Sequence, residues 1–283
     1  MPAFTRREAL FALGAAAGLG PHLRAADRIV KNGRLRQSVS RWCYNRIPMP
    51  EFCRAVADMG LTAIDLLEEP EWTVAAEYGL VCSMGYAGGG SIPNGLNVRA
   101  NHDAIVANFE KTIPRAAALK VPNVITFFGN KRGMADDEAV DTCVAGLNRV
   151  KKVAEDHGVT ICVELLNSKV NHKDYHGDHT AFGVRVMKAV DSPRVKLLYD
   201  IYHMQIMEGD VIRTIRDNAP YIAHYHTGGV PDRHELDDKQ ELNWSAVSRA
   251  IVDTGFKGYL AHEFVPTRDP LTSLREAVAL CDV

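Results

Sequence analysis

Residues 223–237 read AHYHTGGVPDRHELD, and the reading of this stretch decides the fold. Residues 221–227 alternate side chains as a short buried strand does, and Gly228-Gly229 then breaks the strand. The chemistry sits at the break. His226 ends the strand, where a neutral imidazole can point into a pocket. Arg233 follows in the loop with a forked, permanently charged donor for a carboxylate or a polarised oxygen. A strand that delivers its functional side chains at its carboxyl end is the repeating unit of a parallel α/β barrel.

The remainder of the chain repeats that unit. Short apolar runs at 35–40, 63–67, 81–86, 123–128, 160–165, 195–200, 222–227 and 258–263 read as strands. Between them, stretches of helical periodicity cover 50–59, 71–78, 102–119, 137–157, 181–190, 210–218, 244–254 and 269–280. Gly60, Gly158 and Gly255 stand where a left-handed helix C-cap is wanted. Eight strand–helix units predict a single-domain (β/α)8 TIM barrel over residues 27–283, with its site at the carboxyl ends of the strands. A doubly wound sheet would carry a glycine-rich turn after its first strand, and residues 40–45, SRWCYN, contain no glycine. Gly88-Gly89-Gly90 has no helix directly behind it and reads as a flexible loop over the pocket rather than a phosphate cradle.

Composition bounds the function. With 283 residues, 46% hydrophobic and 24% charged, the chain has the make-up of one large globular domain. A net charge of −2 gives no footprint for nucleic acid, so a small-molecule partner is expected. Six scattered cysteines form no CxxC pair, which excludes a zinc ribbon and a disulfide scaffold. Residues 1–26 stand apart: Arg6-Arg7 precedes the apolar run ALFALGAAAGL at 9–19, which is too short to span a bilayer. This segment has the pattern of a twin-arginine export signal, so a periplasmic or exported location is expected, and a cytoplasmic one if it is not used.

Under the barrel reading, Glu164, Asp200, His226 and Glu263 fall at the ends of the last four strands, each closing an otherwise apolar run. Three carboxylates converging on one imidazole repel strongly unless a cation lies between them. A divalent metal resolves the conflict. Oxygen-rich ligands with one imidazole suit Mn²⁺ or Mg²⁺ first, with Co²⁺ or Zn²⁺ also compatible.

The Glu…Asp…His…Glu pattern, joined to GVPDRHELDDKQELNW at 229–244, resembles the xylose isomerase-like TIM barrel superfamily and, within it, the hydroxypyruvate isomerase group. The resemblance covers nearly all of the chain after residue 26. It implies that Glu164, Asp200, His226 and Glu263 bind the metal, that Glu164 and Glu263 are also the catalytic acid–base pair, and that His203 and Arg233 hold substrate oxygens. The implied reaction is isomerisation of a small α-hydroxycarbonyl compound, hydroxypyruvate to tartronate semialdehyde, by proton transfer through an enediolate. The group commonly has glutamine where this chain has His226, and Pro-Ile-Asn where it has Leu165-Leu166-Asn167. His226 resembles the related ketose 3-epimerases, so an epimerase or inosose dehydratase-like sugar enzyme is the alternative, and a catalytically silent sugar- or metal-binding barrel is the non-enzyme one. Apurinic-site endonucleases of the same superfamily need further histidines and carboxylates on strands two to four and a basic face, which are not seen here. Barrels of this kind often pair through their outer helices, and a homodimer is compatible with the sequence.

Two stretches remain. Residues 168–180, SKVNHKDYHGDHT, hold His172, His176 and His179 without helical spacing and read as a polar lid, from which Tyr175 or His176 can reach substrate. Trp42, Tyr44 and Asn45 follow the first strand as candidate pocket residues, with packing the expected role of the tryptophan.

Overall fold

The computed structural model describes residues 28–283; the twin-arginine-type segment, residues 1–26, lies outside them. Eight parallel strands follow one another: β1 Arg36–Val39, β2 Ala63–Leu67, β3 Val81–Gly89, β4 Asn123–Phe127, β5 Thr160–Leu165, β6 Val195–Asp200, β7 Ile222–Thr227 and β8 Tyr259–His262. Each pairs with its neighbour in sequence from β2 to β8, and β8 pairs with β1. A single bridge, Ser40 to Asp65, joins β1 to β2 and closes the circle. The helices around it are α1 Met49–Met59, α2 Glu69–Glu77, α3 His102–Ala118, α4 Asp136–His157, α5 Thr180–Val190, α6 Ile201–Met207, α7 Val211–Asn218, α8 Trp244–Asp253 and α9 Pro270–Cys281.

The local sequence explains the elements. Strands β2, β4 and β5 are buried at every position, because a parallel sheet is covered on both faces, and so they read as continuous apolar runs. Helix α4 carries Asp136, Asp137 and Glu138 in its first turn and His157 in its last, complementing the helix dipole, and stops at Gly158 in the left-handed conformation. Between β2 and β3, Trp72 is buried and its indole N–H donates to the Leu67 carbonyl at 3.0 Å. Gly85 makes room for it: a Cβ there would lie 2.5 Å from the Trp72 ring. Residues 31–33 are tied to the C-terminal segment as well, since the Asp282 carboxylate accepts from the backbone N–H groups of Lys31, Asn32 and Gly33.

Two features depart from the sequence reading. The glycines at 88 and 89 are not a flexible loop but the end of β3: Gly89 pairs with Thr126, whose hydroxyl donates to the Gly89 carbonyl. A Cβ on Gly89 would sit 2.7 Å from the Ile125 carbonyl, so the glycine permits close strand contact. The other is α6, an additional short helix that leaves β6 without any loop. Asp200 is at once the last residue of the strand and the N-cap of this helix, its carboxylate accepting from the His203 N–H at 3.2 Å. That junction turns His203 towards the barrel mouth. Among the described residues no helix is long and apolar enough to cross a membrane.

Candidate functional site

The parallel barrel brings the carboxyl ends of all eight strands to one face. Asp200 closes β6, Glu164 and His226 are the penultimate residues of β5 and β7, and Glu263 directly follows β8. Each is nine-tenths or more buried. One donor atom from each of the four lies within 4.8 Å of all the others. His226 turns its Nδ1 into this cluster, beside the Glu263 carboxylate, 3.5 Å from Glu164 and 3.8 Å from Asp200. Its other nitrogen, Nε2, lies 2.9 Å from the Asp65 carboxylate.

Arg233 reaches the same centre. The turn that carries it is tight: Gly229 and His234 bridge, Arg233 N–H donates to the Gly229 carbonyl at 2.7 Å, and Arg233 takes a left-handed backbone with φ of 59°. Its guanidinium donates to Asp200 at 2.7 Å, to the Glu263 carboxylate at 2.6 Å and to His203 Nε2 at 2.7 Å. It also packs 4.8 Å over the Tyr202 ring. Because an arginine can only donate, Nε2 of His203 is the acceptor of this bond, while Nδ1 faces the Asn167 side-chain amide at 2.6 Å. Glu235, two residues on, buttresses the loop by accepting from Thr267 and Ser273; those bonds, with backbone N–H groups, outweigh burial and hold its carboxyl down to about 2.

The electrostatics follow from this crowding. Burial pushes Glu164 up to about 7, opposed by the hydrogen bond to His226 and reinforced by Glu263. Burial would raise Asp200 too, but Arg233 and then His203 hold it well below the usual carboxylate range. Burial pushes the His203 imidazole well below its ordinary value, leaving it neutral. His226 is driven the other way: against burial, Glu263 and the carboxylates around it favour the imidazolium strongly.

The donor set fits a divalent cation. Three carboxylates converge on Nδ1 of His226, a buried polar atom without a well-formed hydrogen bond. The structure brings together Glu164, Asp200, His226 and Glu263, the four residues that the sequence reading offers as metal ligands. Since metal ligands must be deprotonated, ion binding has to displace the proton that Glu164 carries below about pH 7 and the one on His226 Nδ1. Titration calorimetry of Mn²⁺ in buffers of different ionisation enthalpy is therefore expected to show release of at least one proton per ion, and an affinity falling about tenfold or more per pH unit below 7. An affinity flat from pH 5 to 8, in a range of about three units, contradicts this.

A cavity of about 440 Å³ opens above the cluster. Glu164, His203, Arg233 and Glu263 line its charged side; Leu66, Tyr86, Ile92, Ile125, Phe127 and Leu166 line the other. Among the loop histidines only His172 reaches it, its ring tilted against that of His203 with centroids 5.2 Å apart. His176 is turned away against Asn97 and Asp136, and Tyr175 is a buried strut whose hydroxyl donates to the Glu164 carbonyl. Trp42 is more than packing: its indole N–H donates to Glu263 at 2.5 Å, while Tyr44 lies in the core against Phe52.

Asp65 was not anticipated among the site residues. It sits inside β2, fully buried, and makes a second cluster of possible donors with His224 and His226. The available signal was one carboxylate in the middle of the apolar run AIDLL.

The profile of the xylose isomerase-like TIM barrel family matches residues 53–282, and the chain belongs to that family. Relatives include a putative hydroxypyruvate isomerase from Danio rerio, 32% identical over 49% of this chain and 50% of that protein. A D-psicose 3-epimerase from Agrobacterium fabrum is 29% identical over 57% of this chain and 56% of that protein. The chain thus spans about half the length of these two relatives. Among solved structures, an AP endonuclease of family 2 from Brucella melitensis superposes with a TM-score of 0.76 at 22% identity, covering 85% of this chain and 97% of that one, a likeness of fold.

Proposed function

We propose that the protein is a divalent-metal-dependent isomerase of a small α-hydroxycarbonyl compound, with hydroxypyruvate to tartronate semialdehyde as the first candidate reaction. The observation that carries the reading is the convergence of three buried carboxylates on His226 Nδ1 at the floor of a cavity. When bound, a divalent ion supplies Lewis acidity that favours loss of a proton next to a carbonyl.

The residues divide the remaining work. In the candidate reaction a proton leaves the hydroxymethyl carbon, a proton is added to the former carbonyl carbon, and the hydroxyl proton passes from one oxygen to the other. Glu164 borders the cavity, and once an ion has displaced its proton its carboxylate can exchange a proton with a substrate carbon. Glu263 is held by Trp42 on one oxygen and by Arg233 on the other, which fixes its carboxylate plane at the cavity wall. One of the two takes the carbon-bound proton and the other returns one. Arg233 provides a cation for the substrate carboxylate, and this requires it to loosen its contacts to Asp200 and Glu263. His203 Nε2 accepts from Arg233 as arranged, so it donates to a substrate oxygen only after Arg233 shifts and Nε2 carries the ring proton.

Chelation tests the metal requirement. Treatment with a chelator is expected to lower formation of tartronate semialdehyde from hydroxypyruvate by at least about 10²-fold, with recovery on adding Mn²⁺. Turnover indifferent to chelation contradicts the proposal. A ketose 3-epimerase is the second reading, favoured by one observation: about 440 Å³ lies in the size range of pockets that enclose ligands larger than a three-carbon acid. It uses the same residues, with Arg233 binding a sugar oxygen in place of a carboxylate.

A further inference from the structure

Strand β2 carries a fully buried carboxylate that the proposed reaction does not use. The β2–β3 register shifts on both sides of Asp65, and the next residue, Leu66, has a left-handed backbone with φ of 54°. That conformation is costly for a branched side chain, and a bulge of this kind re-aims the neighbouring residue. The Asp65 carboxylate meets three partners. Oδ1 accepts from the Ser83 hydroxyl at 2.5 Å and lies 3.1 Å from His224 Nε2; Oδ2 lies 2.9 Å from His226 Nε2. Among the described residues nothing else pairs with Nε2 of His226, whose Nδ1 faces the carboxylates of Glu164, Asp200 and Glu263.

The chemistry of imidazole gives this arrangement a consequence. A neutral histidine protonates one nitrogen and offers the other as a lone pair, and the hydrogen bond made by the first decides which is which. A carboxylate behind a ligating histidine pins both the tautomer and the ring plane and makes the ligand more basic. Resting on the metal reading above, we infer that Asp65 is a positioning residue: it holds the Nε2–H of His226 so that Nδ1 is presented to a divalent ion, and the β2 bulge is the device that aims it.

The test is metal binding and needs no substrate. Mn²⁺ titration of Asp65→Asn, which keeps volume but loses the charge, is expected to give about tenfold weaker binding than wild type, and Asp65→Leu, which removes the acceptor, up to about 100-fold weaker. Circular dichroism and melting establish that each variant is folded, and Asp65→Asn decides if Asp65→Leu is not. The visible spectrum of the Co²⁺-loaded protein should also change in Asp65→Asn, which a residue serving packing alone would not cause. Folded variants that bind within about twofold of wild type with an unchanged Co²⁺ spectrum overturn the inference. Two ions bound per wild-type chain, one of them lost in the variants, overturn it as well by making Asp65 a ligand. Wild-type protein that binds no divalent ion overturns the metal reading itself, an outcome distinct from equal binding by wild type and variants.

Discussion

Glu263→Gln, saturated with Mn²⁺, is expected to lower turnover on the active substrate about 10²- to 10⁴-fold, the range general acid–base groups contribute. Two effects combine. A glutamine cannot carry the proton, and it offers only one oxygen where Glu263 uses two, one for Trp42 and one for Arg233. Its amide must therefore oppose one of those donors. Glu164→Gln should show a loss of the same order, whereas Asp174→Asn, in the loop after β5 and outside the cavity lining, should stay within about twofold because a surface change of this kind rarely disturbs more than its surroundings. Stopped assays at matched metal occupancy check all three. A metal-loaded Glu263→Gln protein with undiminished turnover removes Glu263 from the reaction.

Arg233→Met is expected to have the largest effect on stability. The Arg233 side chain is 13% exposed and bridges Asp200, which is fully buried, to Glu263. Removing one partner of a buried ion pair leaves the other charge uncompensated and costs about 3–5 kcal/mol. The loss should be greatest in chelator, where the guanidinium is the neighbouring permanent cation, and should be partly recovered in saturating Mn²⁺, since a bound ion supplies positive charge to the same carboxylates. Denaturant unfolding of wild type and variant, each with chelator and with Mn²⁺, gives the four values needed. A variant as stable as wild type in chelator would mean that the carboxylates do not depend on Arg233.

The barrel was legible because its periodicity is simple: short apolar runs alternate with amphipathic stretches, and the β5, β6 and β7 bounds coincide with residues 160–165, 195–200 and 222–227. Glu164, Asp200, His226 and Glu263 stood out because each polar residue ends an apolar run, the position that a parallel barrel turns towards its mouth. What the sequence left hidden depends on backbone geometry. Asp65 lies within a strand, and neither the left-handed backbone of Leu66 after it nor the approach of its carboxylate to His226 shows in a run of apolar residues. Trp42 was read as packing because an indole is mostly apolar surface, and its hydrogen bond to Glu263 depends on where β1 closes on β8. Helix α6 was missed because residues 201–207 run on from β6 without a breaker, and the cap that begins the helix is the strand's own last residue.

The most direct measurement is proton NMR in D₂O of Mn²⁺-activated protein lacking residues 1–26, with the ion removed before acquisition, offered hydroxypyruvate and then a panel of ketoses. Solvent deuterium entering the carbon next to the carbonyl of hydroxypyruvate, together with tartronate semialdehyde, is the predicted result. Exchange confined to the third carbon of a ketose would transfer the same residues to an epimerase. Isomerised or epimerised product without deuterium at that carbon would contradict proton transfer through solvent-exchangeable Glu164 and Glu263, and with it the central claim.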